Sequence, residues 1–313
     1  MDDQAPTNLV KPRHYDLELR NLDFENWKYD GIVSITVEFI KPSRSITINA
    51  THLNFKNAQV LVDGDAALTS KATSFDGDDN MQVVRINLDN EIPATKSATI
   101  IIAFQGAITD SLAGFYRSKY KPVVQQAASV VGDADGSHYA LSTQFQASYA
   151  RRAFPCFDVP NLKATFALAI EVPSDQVALS NMPVRNIKPN DDRAGWHMVS
   201  FETSPVMSTY LLAWAVGDFA YVEAFTDQTY NGRRIPVRVY AVRGLQSQGQ
   251  FALTLAPRVI DLFSGVFDIP YPLDKMDLLA VPEMSMNSME HWGLITSQPS
   301  IVRVFSAVEP FFC

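Results

Sequence analysis

Period-two alternation dominates the first two-thirds of this chain and limits what it can fold into. Tyr15, Leu17 and Leu19 alternate with Asp16 and Glu18, and Val33, Ile35, Val37 and Phe39 alternate with Ser34, Thr36 and Glu38. Ile46 and Ile48, then Val84, Ile86 and Leu88, then Ile100, Ile102 and Phe104 repeat the pattern. Successive strand side chains point to opposite faces, so alternation of this kind gives one buried face and one wet face, as in antiparallel sheets. Asp63-Gly64-Asp65 and Asp76-Gly77-Asp78-Asp79-Asn80 supply turn chemistry between the strands. No convincing helical period precedes residue 245. The expected fold class is mainly β, opening with a β-sandwich or curved, saddle-like domain.

The pattern changes near residue 220. A strand at Ile235–Val242 leads into a helix in which Leu255, Val259, Leu262, Phe263 and Val266 fall at helical spacing as one apolar stripe. Pro257 lies inside that pattern and implies a kink there or a helix start close to it. Phe267-Asp-Ile-Pro-Tyr-Pro272 ends the helix, and an apolar strand follows at Met276–Val281. The expected division is a β-domain over 1–219, a different, α+β unit over 220–296, and a separate tail over 297–313. Residues 121–138 read as a mobile insertion and Lys188–Gly195 as a second polar loop.

Composition removes several classes of function. The chain has 313 residues, 47% of them hydrophobic and 19% charged, an ordinary globular balance. Its formal net charge of -8 disfavours a nucleic-acid role, because phosphate binding needs clustered Lys and Arg. Basic residues group weakly, as at Arg151-Arg152 and in a diffuse Arg117, Lys119, Lys121 run. No window approaches the roughly 18 to 20 apolar residues of a membrane span, so no membrane is expected as a partner. The acidic, polar N-terminus lacks the features of a signal peptide, and Cys156 and Cys313 are the only cysteines. Both point to a reducing, cytoplasmic location. No G-x-S-x-G elbow, P-loop or dinucleotide fingerprint is present.

Chemistry-bearing motifs lie in two places. The first is Thr143-Gln-Phe-Gln-Ala-Ser-Tyr-Ala-Arg-Arg-Ala-Phe-Pro-Cys-Phe-Asp-Val-Pro-Asn-Leu-Lys-Ala-Thr-Phe166; the second is Val281-Pro-Glu-Met-Ser-Met-Asn-Ser-Met-Glu-His-Trp-Gly-Leu-Ile295. They resemble, respectively, the T-Q-F-E-x-x-x-A-R-x-x-F-P-C-x-D-E-P and G-A-M-E-N-W-G-L segments of the zinc aminopeptidases of the aminopeptidase N and puromycin-sensitive aminopeptidase family. Gly114-Phe-Tyr-Arg-Ser-Lys-Tyr120, Ala178-Leu-Ser-Asn-Met-Pro183, Ser208-Thr-Tyr-Leu-Leu-Ala-Trp-Ala-Val-Gly-Asp218, Val237-Arg-Val-Tyr240 and Ile269-Pro-Tyr-Pro-Leu-Asp-Lys-Met-Asp277 match in the same order. The resemblance covers about residues 8 to 296. It implies that the segment after 220 is the incomplete start of a thermolysin-like catalytic domain.

In that family the Glu of T-Q-F-E and the Glu of G-A-M-E-N reach the free α-amine of the substrate, and the second segment pairs with the extended peptide. The chemistry suits that role, since a carboxylate gives an ammonium a short, charge-assisted hydrogen bond and strand addition holds the peptide backbone. The substrate-binding candidates carried over are therefore Gln144, Gln146, Asn287, Ser288, Met289, Glu290 and His291. Several of them depart from the family pattern. Gln146 replaces the first carboxylate and loses an ion-pair contribution of roughly 1 to 3 kcal/mol. Asn287-Ser288 replaces Gly-Ala and adds bulk where a peptide must come close, and His291 replaces Asn. Asp158-Val159-Pro160 stands for Asp-Glu-Pro and bears on structure more than on binding.

The family's zinc lies in an H-E-x-x-H helix further along, where two His four apart and a Glu supply ligands and general base. The five histidines here are His14, His52, His138, His197 and His291, and no two are four apart. The resemblance thus implies a truncated metalloaminopeptidase relative with no catalytic residues, no metal ligands and no cofactor of its own, inactive alone. The alternative expectation is a non-catalytic peptide-binding or regulatory module. Expected partners are peptides with a free N-terminus, a second copy of the chain, or another chain docked on apolar surface.

Overall fold

The computed structural model describes residues 9–123, 132–133 and 135–302. In chain order the early strands are β1 (Val10–Asp23), β2 (Lys28–Phe39), β3 (Ser43–Asn49), β4 (Asn54–Val62), β5 (Asp65–Asp78), β6 (Val83–Ile92) and β7 (Thr95–Ala107). Then come β8 (Gly114–Tyr120), β9 (His138–Gln144), β10 (Thr165–Pro173), β11 (Val177–Ser180), β12 (Val184–Pro189), β13 (Trp196–Phe201) and β14 (Trp214–Gly217). The last are β15 (Phe219–Tyr230), β16 (Arg233–Val242), β17 (Met276–Ala280), β18 (Ser288–Met289) and β19 (Leu294–Ser297), with helices α1 (Gln250–Phe267) and α2 (Pro299–Val302). The chain is mainly β, as the alternation requires.

Two compact units share these elements. The first takes residues 1–116, 143–172 and 184–212; the second takes 117–142, 173–183 and 213–313. The units are discontinuous in sequence. The reason is strand pairing: β11 pairs with β14 and β14 with β9, so segments far apart in sequence are tied into one sheet.

The first unit is built on a ten-stranded sheet, order β12-β13-β10-β1-β2-β7-β4-β5-β6-β3. β1 and β10 are parallel; β1, β2 and β7 run antiparallel, with register shifts near Pro12, Arg20 and Val37. The alternating residues go where their pattern puts them. Tyr15, Leu17, Leu19, Val33, Ile35, Val37, Ile100, Ile102 and Phe104 are all buried. Gly31 is needed because a Cβ there would collide with the Phe104 ring. Tyr15 stacks on Phe166 at 4.8 Å, and the buried Tyr29 hydroxyl donates to the Ala153 carbonyl at 2.6 Å. Two expectations need correction. β5 runs on through Asp76-Gly77 to Asp78, and the turn follows it, held by Asp78 Oδ1, which accepts from the backbone N–H groups of Asn80 and Met81. Lys188 and Pro189 belong to strand β12, so the polar loop begins only at Asn190. Part of the expected 121–138 insertion, residues 124–131 and 134, lies outside the described residues.

The second unit centres on a five-stranded sheet, order β15-β16-β17-β19-β18. β16–β17 and β17–β19 are parallel pairs, and parallel neighbours need a crossover, which α1 supplies between β16 and β17. α1 continues through Pro257 rather than starting at it and ends where Asp268 turns left-handed at φ 52°. Leu253 packs with Val239, Ala241, Ala280 and Val302, and Ile260 with Tyr230, Ile235 and Val237. A four-stranded sheet, order β11-β14-β9-β8, belongs largely to this unit.

Candidate functional site

The candidate residues divide between the units: Gln144 and Gln146 fall in the first, Asn287 to His291 in the second. In the second unit β18 is the last strand of its sheet. Ser288 pairs with Ser297 and Met289 with Thr296, and the Ser288 and Ser297 hydroxyls are 2.7 Å apart. The Asn287 carbonyl accepts from the Gln298 N–H at 2.9 Å. Alternation then sorts the side chains: Met289 is buried, Glu290 is exposed and His291 is buried. Among the described residues Glu290 makes no ion pair, and no strand lies beyond β18 in the sheet. A short edge strand beside an unengaged carboxylate is suited to adding a peptide strand and meeting its ammonium.

His291 contributes differently from its neighbours. Its side chain is 1% exposed, and burial pushes its pKa down to about 3, so the imidazole is neutral. Nδ1 lies 3.4 Å from the Thr296 hydroxyl, and Nε2 has no partner among the described residues. What His291 presents outward is backbone, and its carbonyl accepts from the Leu294 N–H.

Sequence reasoning missed what fixes this turn. Gly293 sits at φ 72°, and a Cβ there would collide with the Asn181 carbonyl oxygen. The Asn181 side chain donates to the Trp292 carbonyl at 2.8 Å and accepts from the Ala213 N–H at 2.9 Å. Lys275 Nζ donates to the Ser180 carbonyl at 2.6 Å and the Gly293 carbonyl at 2.7 Å, and pairs with Asp277 Oδ2 at 2.7 Å. Both side chains are buried; burial pulls the lysine pKa down and pushes the aspartate up, each opposed by the attraction between them. The signal was present in the sequence: two charges, two residues apart, at the head of an otherwise apolar strand.

In the first unit Gln144 ends β9 and is buried, and neither its Oε1 nor its Nε2 has a partner among the described residues. Buried polar atoms are nearly always paired, so an amide open at both ends is suited to a bound polar group. Gln146 is partly exposed and precedes a cis peptide bond to Ala147. Asp158 is buried and pairs with Arg151 Nε at 3.0 Å, and its N–H donates to the Asn49 side chain. Burial pushes the Asp158 pKa up against the pull of Arg151. Its work is structural.

The residues present do not fit a zinc site. No pair of histidines has the i, i+4 spacing, and among the described residues no three His, Cys, Asp or Glu side chains come together to hold a metal. No helix among them is long and apolar enough to cross a membrane.

Residues 11–211 match the Peptidase M1 N-terminal domain, and residues 251–308 match the Peptidase family M1 domain. The chain belongs to the M1 peptidase family, a family of zinc metallo-aminopeptidases. Its relatives include the puromycin-sensitive aminopeptidase of Caenorhabditis elegans, 37% identical over 94% of this chain and 29% of that protein. The alanine/arginine aminopeptidase of Saccharomyces cerevisiae is 39% identical over 95% of this chain and 32% of its own length. Aminopeptidase M1-A of Oryza sativa subsp. japonica is 38% identical over 92% and 30%. The chain thus spans about a third or less of these relatives. The peptidase-domain match continues to residue 308, past Thr296, where the motif resemblance ends.

Proposed function

We propose that this chain is the recognition portion of an M1 aminopeptidase, a module that receives the amino terminus of a peptide, and that it does not hydrolyse peptides by itself. One observation carries the reading: family matches span 11–211 and 251–308, yet the H-E-x-x-H pair that holds the family's zinc is absent from the 313 residues. Hydrolysis of this type needs three protein ligands and a polarised water. The edge position of β18 and the unengaged Glu290 support peptide recognition. Glu290 is the ammonium partner in this reading. The backbone of Asn287 to His291, in the same unit, takes the peptide strand. The proposal includes a cytoplasmic setting, in keeping with the buried free thiol of Cys156.

The test is calorimetric titration of the full chain with a short peptide and with its N-acetylated form, alongside metal analysis and aminoacyl chromogenic substrates. Expected are binding of the free amine weakened at least tenfold by acetylation, no stoichiometric zinc and no released amino acid. Equal affinity for the two peptides would remove the recognition role. Chelator-sensitive turnover with one zinc per chain would overturn the claim that hydrolysis lies outside this chain.

A further inference from the structure

β15 closes its sheet at the end opposite β18 and runs for 12 residues. A long open edge is a template for another strand, and proteins blunt such edges with short length, Pro, Lys or bulges. Two other edge strands carry those devices. β18 has two residues, and β12 carries Lys188, Pro189 and a register shift between Val184 and Asn186. β15 contains neither Pro nor Lys, and its register shift lies beyond Phe225, so Phe219 to Phe225 form a regular edge.

The phase of the ladder decides which groups stay open. The Arg243 N–H donates to the Asp218 carbonyl at 2.9 Å, so Asp218 and then Ala220, Val222 and Ala224 turn their backbone groups to β16. Tyr221 and Glu223 therefore turn theirs away from the sheet. Tyr221 is 48% exposed, with the Arg238 guanidinium 5.1 Å from its ring centre. Glu223 accepts from Arg238 Nε at 2.7 Å, which neutralises the one charge that would guard this stretch. On the other face Val222 and Ala224 pack against the cluster of Val239, Ala241 and Leu253.

We infer that the β15 edge pairs antiparallel with the β15 edge of a second copy of this chain, about a two-fold axis at Val222. An isologous contact needs a self-complementary strand, and Phe219-Ala-Tyr-Val-Glu-Ala-Phe225 is one. With Val222 facing the partner's Val222, Tyr221 faces the partner's Glu223 and Ala220 faces the partner's Ala224. The open backbone positions then meet each other in hydrogen-bonded pairs. Other axes fail. An axis at Glu223 sets two carboxylates directly opposite, which is destabilising. An axis at Tyr221 sets the partner's Glu223 against Phe219, whose ring is buried. An axis between residues matches open backbone groups with engaged ones. An edge about 24 Å long and about 10 Å deep offers roughly 240 Å² per copy. A stable interface has about 800 Å² per partner, so this is a weak, concentration-dependent dimer. The joined sheet carries β18 at both ends, which leaves each peptide-recognition edge open.

The test is sedimentation of the full chain from low micromolar to several hundred micromolar concentration. A reversible monomer–dimer equilibrium is expected. Tyr221→Glu places a carboxylate opposite the partner's Glu223 twice and should weaken the dimer about tenfold or more. Tyr221→Lys places an ammonium there and should retain it. Cross-linking reads the register in a Cys313→Ser background. Val222→Cys should form an intermolecular disulfide under mild oxidant, because facing residues of this kind bring their Cα atoms to about 4.5 Å. Ala224→Cys should not, since it lies four positions, about 14 Å, from its own counterpart. A parent chain that stays monomeric throughout the range overturns the inference. So does a dimer that Tyr221→Glu leaves unchanged, or that Tyr221→Lys weakens as far as Tyr221→Glu does. Equal cross-linking at Ala224→Cys and Val222→Cys also overturns it. Where a Tyr221 variant fails to fold, the cross-linking pair decides.

Discussion

The two units treat their apolar residues in opposite ways. In the first, alternation on β1, β2 and β7 sends Leu17, Val33, Ile102 and Phe104 inward, and the residues between them face out. In the second, the sheet buries Val237, Val239 and Leu279, but α1 holds Leu262, Phe263 and Val266 outward. The difference shows what each sequence was fitted to. A period-two pattern is satisfied within one sheet by its own strands. A helix apolar on two sides is satisfied only when something lies on each. The second unit also has buried polar ties, in which Lys275 reaches the Ser180 and Gly293 carbonyls and Asp277.

The largest expected effect tests whether those ties hold the second unit. Lys275→Ala leaves the Asp277 carboxylate buried without its partner and removes the donor from the carbonyls of Ser180 and Gly293. Removal of one member of a buried pair costs about 3–5 kcal/mol, and orphaned acceptors add to that. Amide hydrogen exchange in β17 and β19 should speed up accordingly, while β1 and β2 stay protected. The double replacement Lys275→Met/Asp277→Leu should cost less than Lys275→Ala, because no charge is left alone. If β17 and β19 both keep full protection in Lys275→Ala, polar ties are not what sets the stability of this unit.

The matching probe of the first unit is Phe104→Ala. Phe104 is fully buried, fills the space left by Gly31 and meets Tyr29 edge-on at 6.3 Å between centroids. Loss of a buried Phe costs about 3–5 kcal/mol, at the lower end where the site collapses. Exchange in β2 and β7 should report it, with β16 and β17 unchanged. Coupled loss in both sets of strands would mean that the two units unfold together and the contrast between them is one of packing only.

These contrasts were legible in the sequence to different depths. The main strands of the first unit could be read because alternation and turn residues agree, and the end of β5 was misplaced, since Asp78 rather than Asp76 caps the turn. The helix at 250–267 could be read from its spacing. Which side it buries could not, because Leu253 and Ile260 are as apolar as Leu262 and Val266. The discontinuous units were invisible because they depend on pairing between β11, β14 and β9. In the candidate site the motif identified Glu290, and strand alternation alone could have turned His291 inward. The carbonyls that Lys275 reaches, one of them 95 residues away in sequence, had no sequence signature.

A smaller effect concerns pH and is confined to the second unit. His291 stays neutral in the fold down to about pH 3, whereas a free histidine takes its proton near 6.5. Between those values the unfolded state binds the extra proton. The stabilisation is complete above about pH 6.5 and is lost as pH falls, by about 1.4 kcal/mol per pH unit. From pH 7 to 5 the loss is about 2 kcal/mol, read from exchange at Leu294 and Thr296. His291→Asn, which restores the family residue, should flatten that dependence. An unchanged slope in His291→Asn would assign it to other groups.

The smallest effect is expected at the outer face of α1, and its smallness is the sharpest test of the contrast. Phe263→Ala removes as many atoms as Phe104→Ala, from a ring that is 53% exposed. Surface substitutions away from caps and networks change stability by about 0.5 kcal/mol or less, and Ala has the best helix propensity, which offsets the lost contact with Phe267 at 5.8 Å. The unfolding transition of the isolated chain should therefore stay where it is. A cost near that of a buried phenylalanine, about 3 kcal/mol or more, would show the stripe already covered within the lone chain. α1 would then be an interior helix of a complete unit, and the opposition between an inward-facing and an outward-facing half of the molecule would collapse.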